Sequence, residues 1–180
     1  MTRWRLATSV GDDLSPFDIL MMERALRLAR EAADRDEVPV GAVIYRGETI
    51  IAEAANNREA SKDPAGHAEL LAISEAGRKL GQWRLNDCTL ACTLEPCPMC
   101  AGAMVNARLG RLIYGTHDPK GGAVDSLYEL LTDGKLNHRV EVVRGVLAEP
   151  CAEVLRTFFQ RRRDEKRAAR TRCTCTKKSA

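Results

Sequence analysis

The chain of 180 residues has no apolar run approaching the roughly 18 uninterrupted positions that a membrane-spanning helix needs. Its opening stretch, MTRWRLATSVGDDL, is broken by Asp12 and Asp13 and has no apolar core of the secretory-signal type. Internal repeats are absent, and so is any interdomain linker. A membrane helix, a repeat array and an exported protein are thereby set aside, and one cytoplasmic domain is expected. What is present fits that expectation: 44% hydrophobic and 29% charged residues describe a folded domain, not a disordered chain.

Charge is scarce in sum but uneven in place. The net charge is +3, yet the segment from Cys151 onward carries ten Lys/Arg against three Asp/Glu, leaving a mildly acidic body. Most of the surplus sits at Arg161-Arg162-Arg163 and between Lys166 and Lys178. Such a segment either binds nucleic acid or another anionic surface, or is a solvated, frayed helix end, and charge by itself leaves both open.

Seven cysteines in a chain without an export signal argue against a disulfide framework and for metal binding or catalysis. Cys88, Cys92 and Cys151 lie in apolar surroundings and read as small core residues. Cys173 and Cys175 lie in the polar tail, where a C-x-C could bind metal adventitiously or do nothing specific. Cys97 and Cys100 form a C-x-x-C.

The apolar periodicity predicts an alternation of helices and strands. A first helix runs from Ser15 to about Asp34, with Ser15 as N-cap, Pro16 at its first position, Asp18 at its positive end, and Phe17, Met21, Ala25, Leu28 and Ala32 facing the core. Val38 to Tyr45 and Thr49 to Ala52 read as a hairpin about Arg46-Gly47. A polar loop spans Asn56 to Gly66. Then follow a helix from Ala65 to Leu80, a strand from Cys88 to Leu94, a helix from Pro96 to Arg108, and a strand from Arg111 to Gly115. A turn-rich segment from His117 to Gly122, a short helix from Ser126 to Leu131, a fifth strand from Val140 to Leu147 and a last helix from Glu149 to about Arg170 complete the pattern. This is an α/β domain, a sheet between helices.

Two helix starts carry the chemistry: His67-Ala68-Glu69 and Pro96-Cys97-Pro98-Met99-Cys100. A catalytic zinc takes three imidazole or thiolate ligands and keeps one position for water, and His67, Cys97 and Cys100 supply that set. The positive end of a helix favours the thiolate form of both sulfurs. Glu69, two residues from His67, can face the same water without ligating. A thioredoxin-like pair has no need of H-x-E, and a structural site wants a fourth ligand. His117 and His138, the only other histidines, stand in loops without a cysteine pair beside them. The H-x-E with P-C-x-x-C pattern is the signature of zinc deaminases, in which activated water attacks C4 of cytosine or C6 of adenine and the glutamate shuttles protons.

From about Phe17 to Arg163 the sequence resembles the bacterial tRNA-specific adenosine deaminases. The stretches that carry the likeness are Val38-Pro39-Val40-Gly41-Ala42, Asp63-Pro64-Ala65-Gly66-His67-Ala68-Glu69, and Thr93 to Met104 around Pro96-Cys97-Pro98-Met99-Cys100. They continue in Gly115 to Ala123, Asn137-His138-Arg139 and Phe158-Phe159. H-A-E with P-C-x-x-C is common to the deaminase superfamily, whereas the D-P-K-G-G-A and N-H-R segments are more particular to the tRNA enzymes. The resemblance implies a cytidine-deaminase-like fold, a three-layer α/β/α domain with a five-stranded mixed sheet, in a homodimer with one zinc per subunit. It implies hydrolytic conversion of adenosine to inosine at the wobble position of the tRNA anticodon, chiefly of arginine tRNA, with the anticodon stem-loop as partner. It implies Glu69 as the catalytic residue, His67, Cys97 and Cys100 as metal ligands, and Asn56, Asp118, Lys120, Asn137 and Phe159 as substrate-binding residues. For Phe158 and Phe159 plain packing of an amphipathic helix stands beside base stacking.

On this reading residues 1–14 are an N-terminal extension, 15–163 the deaminase domain and 164–180 a basic, partly disordered tail. Two departures from the family pattern stand out. Pro64-Ala65-Gly66 replaces a segment that often holds threonine, and Gly66 is expected to loosen the loop before His67; Cys92 takes a strand position often held by an aliphatic residue. Two other functions share the motif. One is deamination of a free base or nucleoside, of guanine or cytosine type, by the same zinc chemistry. The other is a silent RNA-binding module with structural zinc, which an intact Glu69 argues against.

Overall fold

The computed structural model of the chain describes residues 14–176, the side chains of 170–176 excepted. The segment read as an N-terminal extension therefore lies almost wholly outside the described residues, as do the Cys173 and Cys175 side chains and the last lysines. Helix α1 (Pro16–Asp34) begins where the sequence predicts: the Ser15 hydroxyl accepts the Asp18 N–H while the Asp18 carboxylate accepts the Ser15 N–H, a closed capping box. Strands β1 (Gly41–Arg46) and β2 (Thr49–Ala55) form the predicted hairpin, turning at Gly47-Glu48. A single helical turn, α2 (Arg58–Ser61), interrupts the loop expected over 56–66. Then come α3 (Ala68–Leu80), β3 (Thr89–Leu94), α4 (Pro98–Asn106), β4 (Arg111–Thr116), β5 (Glu141–Val143) and α5 (Ala148–Thr176).

The five strands make one mixed sheet in the order β2-β1-β3-β4-β5. β1 is antiparallel to both β2 and β3, whereas β3, β4 and β5 run parallel. Alternation along the central strands sends Ala42, Ile44, Leu90, Cys92, Leu112 and Tyr114 to one face, where α3 and α4 cover them with Ala72, Ala76, Cys100, Ala101 and Met104. Val43, Tyr45, Ala91 and Ile113 point to the other face, against Met21, Met22, Ala25 and Leu28 of α1 and Cys151 of α5. Helices on both faces give the predicted three-layer α/β/α architecture. Cys88, Cys92 and Cys151 are buried core residues, as read.

Two expectations are corrected. No helix forms over Ser126–Leu131: the Leu127 N–H goes to the Gly122 carbonyl and the Leu130 N–H to that of Ala123, so the helical bonding pattern is never established. The fifth strand is only three residues long, because Arg144 turns its guanidinium back to the Val142 carbonyl and Gly145 and Leu147 take positive φ. The last helix, expected to end at about Arg170, continues to Thr176. Its sequence alternates strong helix formers with pairs at helical spacing, Gln160 with Asp164 and Arg161 and Arg162 with Glu165.

Candidate metal centre and active site

The ends of β3 and β4, the start of β1 and the end of β2 meet at one edge of the sheet, and the helices α3 and α4 begin there. His67 is the N-cap of α3 and Cys97 the N-cap of α4, both in extended backbone just before their helices. Pro98 at the first helical position starts α4 at once, which brings Cys100 back one turn onto the same side as Cys97. The two sulfurs stand 3.6 Å apart, and His67 Nδ1 lies 3.6 Å from Cys97 Sγ and 3.5 Å from Cys100 Sγ.

Those distances can be tested against a metal. Bonds of about 2.3 Å to sulfur and about 2.0 Å to nitrogen at tetrahedral angles require sulfurs about 3.8 Å apart and nitrogen–sulfur separations near 3.6 Å. The triangle of donor atoms is already that size. Hydrogen bonding from the Cys100 thiol, and then from His67, draws the Cys97 thiol down to about 4, while the same contact and burial push Cys100 far up. A divalent cation held by this triangle would keep both sulfurs as thiolates. His67, Cys97 and Cys100 are the His/Cys/Asp/Glu group, among the described residues, whose ligand atoms converge in this way.

Glu69 sits in the first turn of α3, 4% exposed, and burial raises its carboxyl above the usual range. Its Oε2 is the one buried side-chain oxygen or nitrogen without a hydrogen-bond partner among the described residues. A buried carboxylate oxygen left unpaired carries a desolvation cost of about 1–3 kcal/mol, tolerated where a group must stay free for chemistry.

Asn56 follows β2 and is 5% exposed; its Oδ1 accepts the Ala68 N–H at 2.9 Å, tying it to the turn that bears His67 and Glu69. Gly66 does not loosen this loop. It is buried, its carbonyl accepts the Asn57 N–H at 2.9 Å, and an added Cβ would stand 3.1 Å from the Asn57 carbonyl. Asp118 and Lys120 lie on the loop after β4, and the Asp118 carboxylate accepts the Lys120 N–H at 3.0 Å. Phe159 is 44% exposed, whereas Phe158 is buried, so of the two aromatics packing claims Phe158 alone. Asn137 lies past the far end of α4. Its carbonyl accepts from Arg108, beyond the end of α4 remote from Cys97, so within one chain it is not gathered at the metal centre.

One residue organises this edge that sequence reasoning passed over. The Glu95 carboxylate, wholly buried between β3 and Pro96, accepts the N–H groups of Asp118, Val124, Asp125 and Ser126 at 2.8–3.1 Å and the Ser126 hydroxyl. Burial alone would push it up, but the Ser126 hydroxyl and these backbone donors outweigh that and hold it at about 2. An added Cβ at Gly122 would meet the Glu95 carboxylate at 2.3–2.5 Å, which is why glycine stands there. The same converging N–H groups explain the missing helix over 126–131. A carboxylate set immediately before P-C-x-x-C was the available signal.

The MafB19-like deaminase family profile matches residues 18–163. A tRNA-specific adenosine deaminase of Bacillus subtilis (strain 168) is 48% identical over 153 residues, 85% of this chain and 95% of the relative. The chain belongs to the tRNA-specific adenosine deaminase family. A solved structure from biochemical and structural studies of A-to-I editing by tRNA:A34 deaminases superposes with a TM-score of 0.73 at 43% identity, over 76% of this chain and 99% of that one. A guanine deaminase from Bacillus subtilis superposes less fully, with a TM-score of 0.53 at 42% identity over 54% and 63% of the two chains. About half of this chain thus superposes on a guanine deaminase as well. No helix among the described residues is long and apolar enough to cross a membrane.

Proposed function

We propose that this chain hydrolytically deaminates adenosine to inosine at the wobble position of the tRNA anticodon, chiefly in arginine tRNA. The observation that carries the reading is the unpaired Glu69 Oε2 beside a ligand triangle of tetrahedral size, in a chain 48% identical to a tRNA-specific adenosine deaminase over nearly all of that relative. The donor set of one imidazole and two thiolates suits zinc, one per subunit, held by His67 Nδ1, Cys97 Sγ and Cys100 Sγ. Bound there, zinc makes a water nucleophilic at neutral pH.

The remaining work falls to the protein. Glu69 Oε2 accepts one proton from the attacking water and delivers it to the adenine ring nitrogen, then takes the second from the new C6 hydroxyl and gives it to the departing amine, so that ammonia leaves as the C6 carbonyl forms. Burial serves that cycle, because a carboxyl raised toward neutrality both takes and gives a proton readily. Asn56, fixed to the Ala68 N–H through its oxygen, has its amide nitrogen to offer the flipped base. Asp118 and Lys120 take the adjacent nucleotides and exposed Phe159 stacks on a base, while Asn137 serves anticodon nucleotides away from the reacting one. The working form is a cytoplasmic homodimer whose subunits consist of an N-terminal extension over 1–14, a deaminase domain over 15–163 and a basic tail over 164–180; the family match over 18–163 supports that body.

The test is a deamination assay of the zinc-loaded protein on an arginine tRNA transcript, read as A-to-G by sequencing, with free adenosine, cytidine and guanine in parallel. Conversion confined to the wobble adenosine is the expected result. The likeness to a guanine deaminase keeps a second reading, deamination of a free base by the same residues, and ammonia released from guanine but not tRNA would establish it instead.

A further inference from the structure

Glu37 takes no part in the chemistry described above, yet it is 1% exposed and lies where three segments meet. Helix α1 ends in a Schellman arrangement: the Asp36 N–H bonds the Ala33 carbonyl at 3.1 Å, the Glu37 N–H bonds that of Ala32 at 3.0 Å, and Asp36 takes φ 61°. The corner is braced from outside by α5, whose Arg161 guanidinium donates to the Ala33 carbonyl at 2.9 Å and the Asp36 carboxylate at 2.7 Å. The Glu37 side chain points the other way. Its two oxygens accept the Glu59 N–H at 3.1 Å and the Ala60 N–H at 2.8 Å, in the first turn of α2.

That turn has little else to hold it. α2 is four residues long, buries none of them, and its N-cap Asn57 makes no side-chain cap bond. A lone turn of this length does not persist in water without tertiary support. Yet it joins Asn56, bonded to Ala68, to the segment in which the Gly66 carbonyl holds Asn57 just before His67. An anchor on α2 thus fixes a segment tied on both sides to the turn that bears His67 and Glu69.

We infer that Glu37 is a positioning residue for deamination: it clamps the α2 turn so that Asn56 and the segment leading to His67 keep the geometry that receives the base. This rests on the proposed function for the role of Asn56, and on the observed hydrogen bonds for the clamp. Glu37→Gln keeps the reach but loses one of the two acceptors, and Glu37→Asp keeps the carboxylate but falls short by a methylene.

The experiment uses zinc-loaded full-length protein and has two arms. In the first, amide hydrogen exchange at Glu59 and Ala60 quickens by roughly a hundredfold in either variant, while zinc content stays at the parent value. In the second, KM for an anticodon stem-loop rises by roughly tenfold with kcat changed less, and Glu37→Gln added to Asn56→Ala raises KM no further than Asn56→Ala alone. Should Glu37→Gln fail to fold, Glu37→Asp supplies both readings. Unchanged exchange at Glu59 and Ala60 overturns the clamp. A fall in activity that tracks melting temperature or zinc content with KM unchanged overturns the positioning role, leaving only a structural one. If the parent turns over a free base and not RNA, the substrate reading fails, and the same KM comparison on that base decides Glu37; a parent inactive on every base overturns both.

Discussion

Glu69 and Glu95 flank the same candidate metal centre, both buried, and they are built in opposite ways. Glu95 receives four backbone N–H groups and a hydroxyl, and is held at about 2; Glu69 keeps one oxygen unpaired and is pushed up. The first arrangement keeps a carboxylate charged and makes it a fixed point for the loop that follows β4. The second keeps a carboxylate reactive at a cost in stability. Asp18 and Glu37, the other buried carboxylates among the described residues, side with Glu95, each with its partners in place. Saturation marks an acid that holds structure, and an unpaired oxygen marks the acid we propose as the proton carrier.

Substitutions can break this contrast. Glu69→Ala has the largest effect on function: turnover falls by about 10²–10⁴-fold while zinc remains bound, and unfolding free energy stays within about 1 kcal/mol of the parent. Zinc analysis, a single-turnover assay and urea denaturation check all three, and full activity in this variant defeats the mechanism. Glu95→Gln reverses the pattern, costing about 3 kcal/mol or more of stability, since several buried N–H groups lose a charged acceptor. A melting temperature equal to the parent's would show that the saturated cluster stabilises nothing.

Asp18→Asn costs less, about 2 kcal/mol, and its effect depends on pH. Burial raises the Asp18 carboxyl, but the Tyr45 hydroxyl, the Ser15 N–H and the Arg111 guanidinium outweigh that and hold it below its ordinary value. A carboxyl lowered in the folded state stabilises fully above its unfolded value, about 3.9, and loses that contribution as pH falls through the folded value. Denaturation midpoints measured from pH 7 down to pH 3 should therefore fall less steeply in Asp18→Asn than in the parent; parallel curves refute the assignment. The smallest effect on stability is expected from deleting residues 164–180, whose described side chains are all exposed. There the melting temperature holds, but the salt dependence of tRNA binding becomes shallower by about 0.7 for each phosphate that the tail neutralises in the parent. An unchanged slope leaves the tail without a part in binding.

The sequence is most legible where local chemistry acts alone. Ser15-Pro16 and Asp18 start α1 as read, and the alternation in β1, β3 and β4 sets the two faces of the sheet. Because P-C-x-x-C sits at a helix start, its spacing brings the two sulfurs together, while the sheet sets the H-A-E helix start beside them. The failures have one source, contact between residues distant in the chain. Nothing within 126–131 reveals that Glu95, some 30 residues earlier, gathers its N–H groups. Nothing near Val140 announces that the ladder stops at Val143, and α2 exists because Glu37 reaches it from the far side of β1 and β2. Asn137 is assigned by likeness to the family, and its distance from Cys97 is visible only in the fold.

From Arg163 to Ala169 helix α5 is exposed on every side, and its backbone continues to Thr176. At about 1.5 Å per residue, the stretch beyond Arg163 is a rod of about 20 Å. It therefore acts as a spacer. A protein fused directly after Thr176 would start roughly that far from the Arg161–Asp36 brace, and inserting or deleting two residues before it would swing it about 200° around the helix as well as moving it along. Fusion partners placed there can be aimed by counting residues.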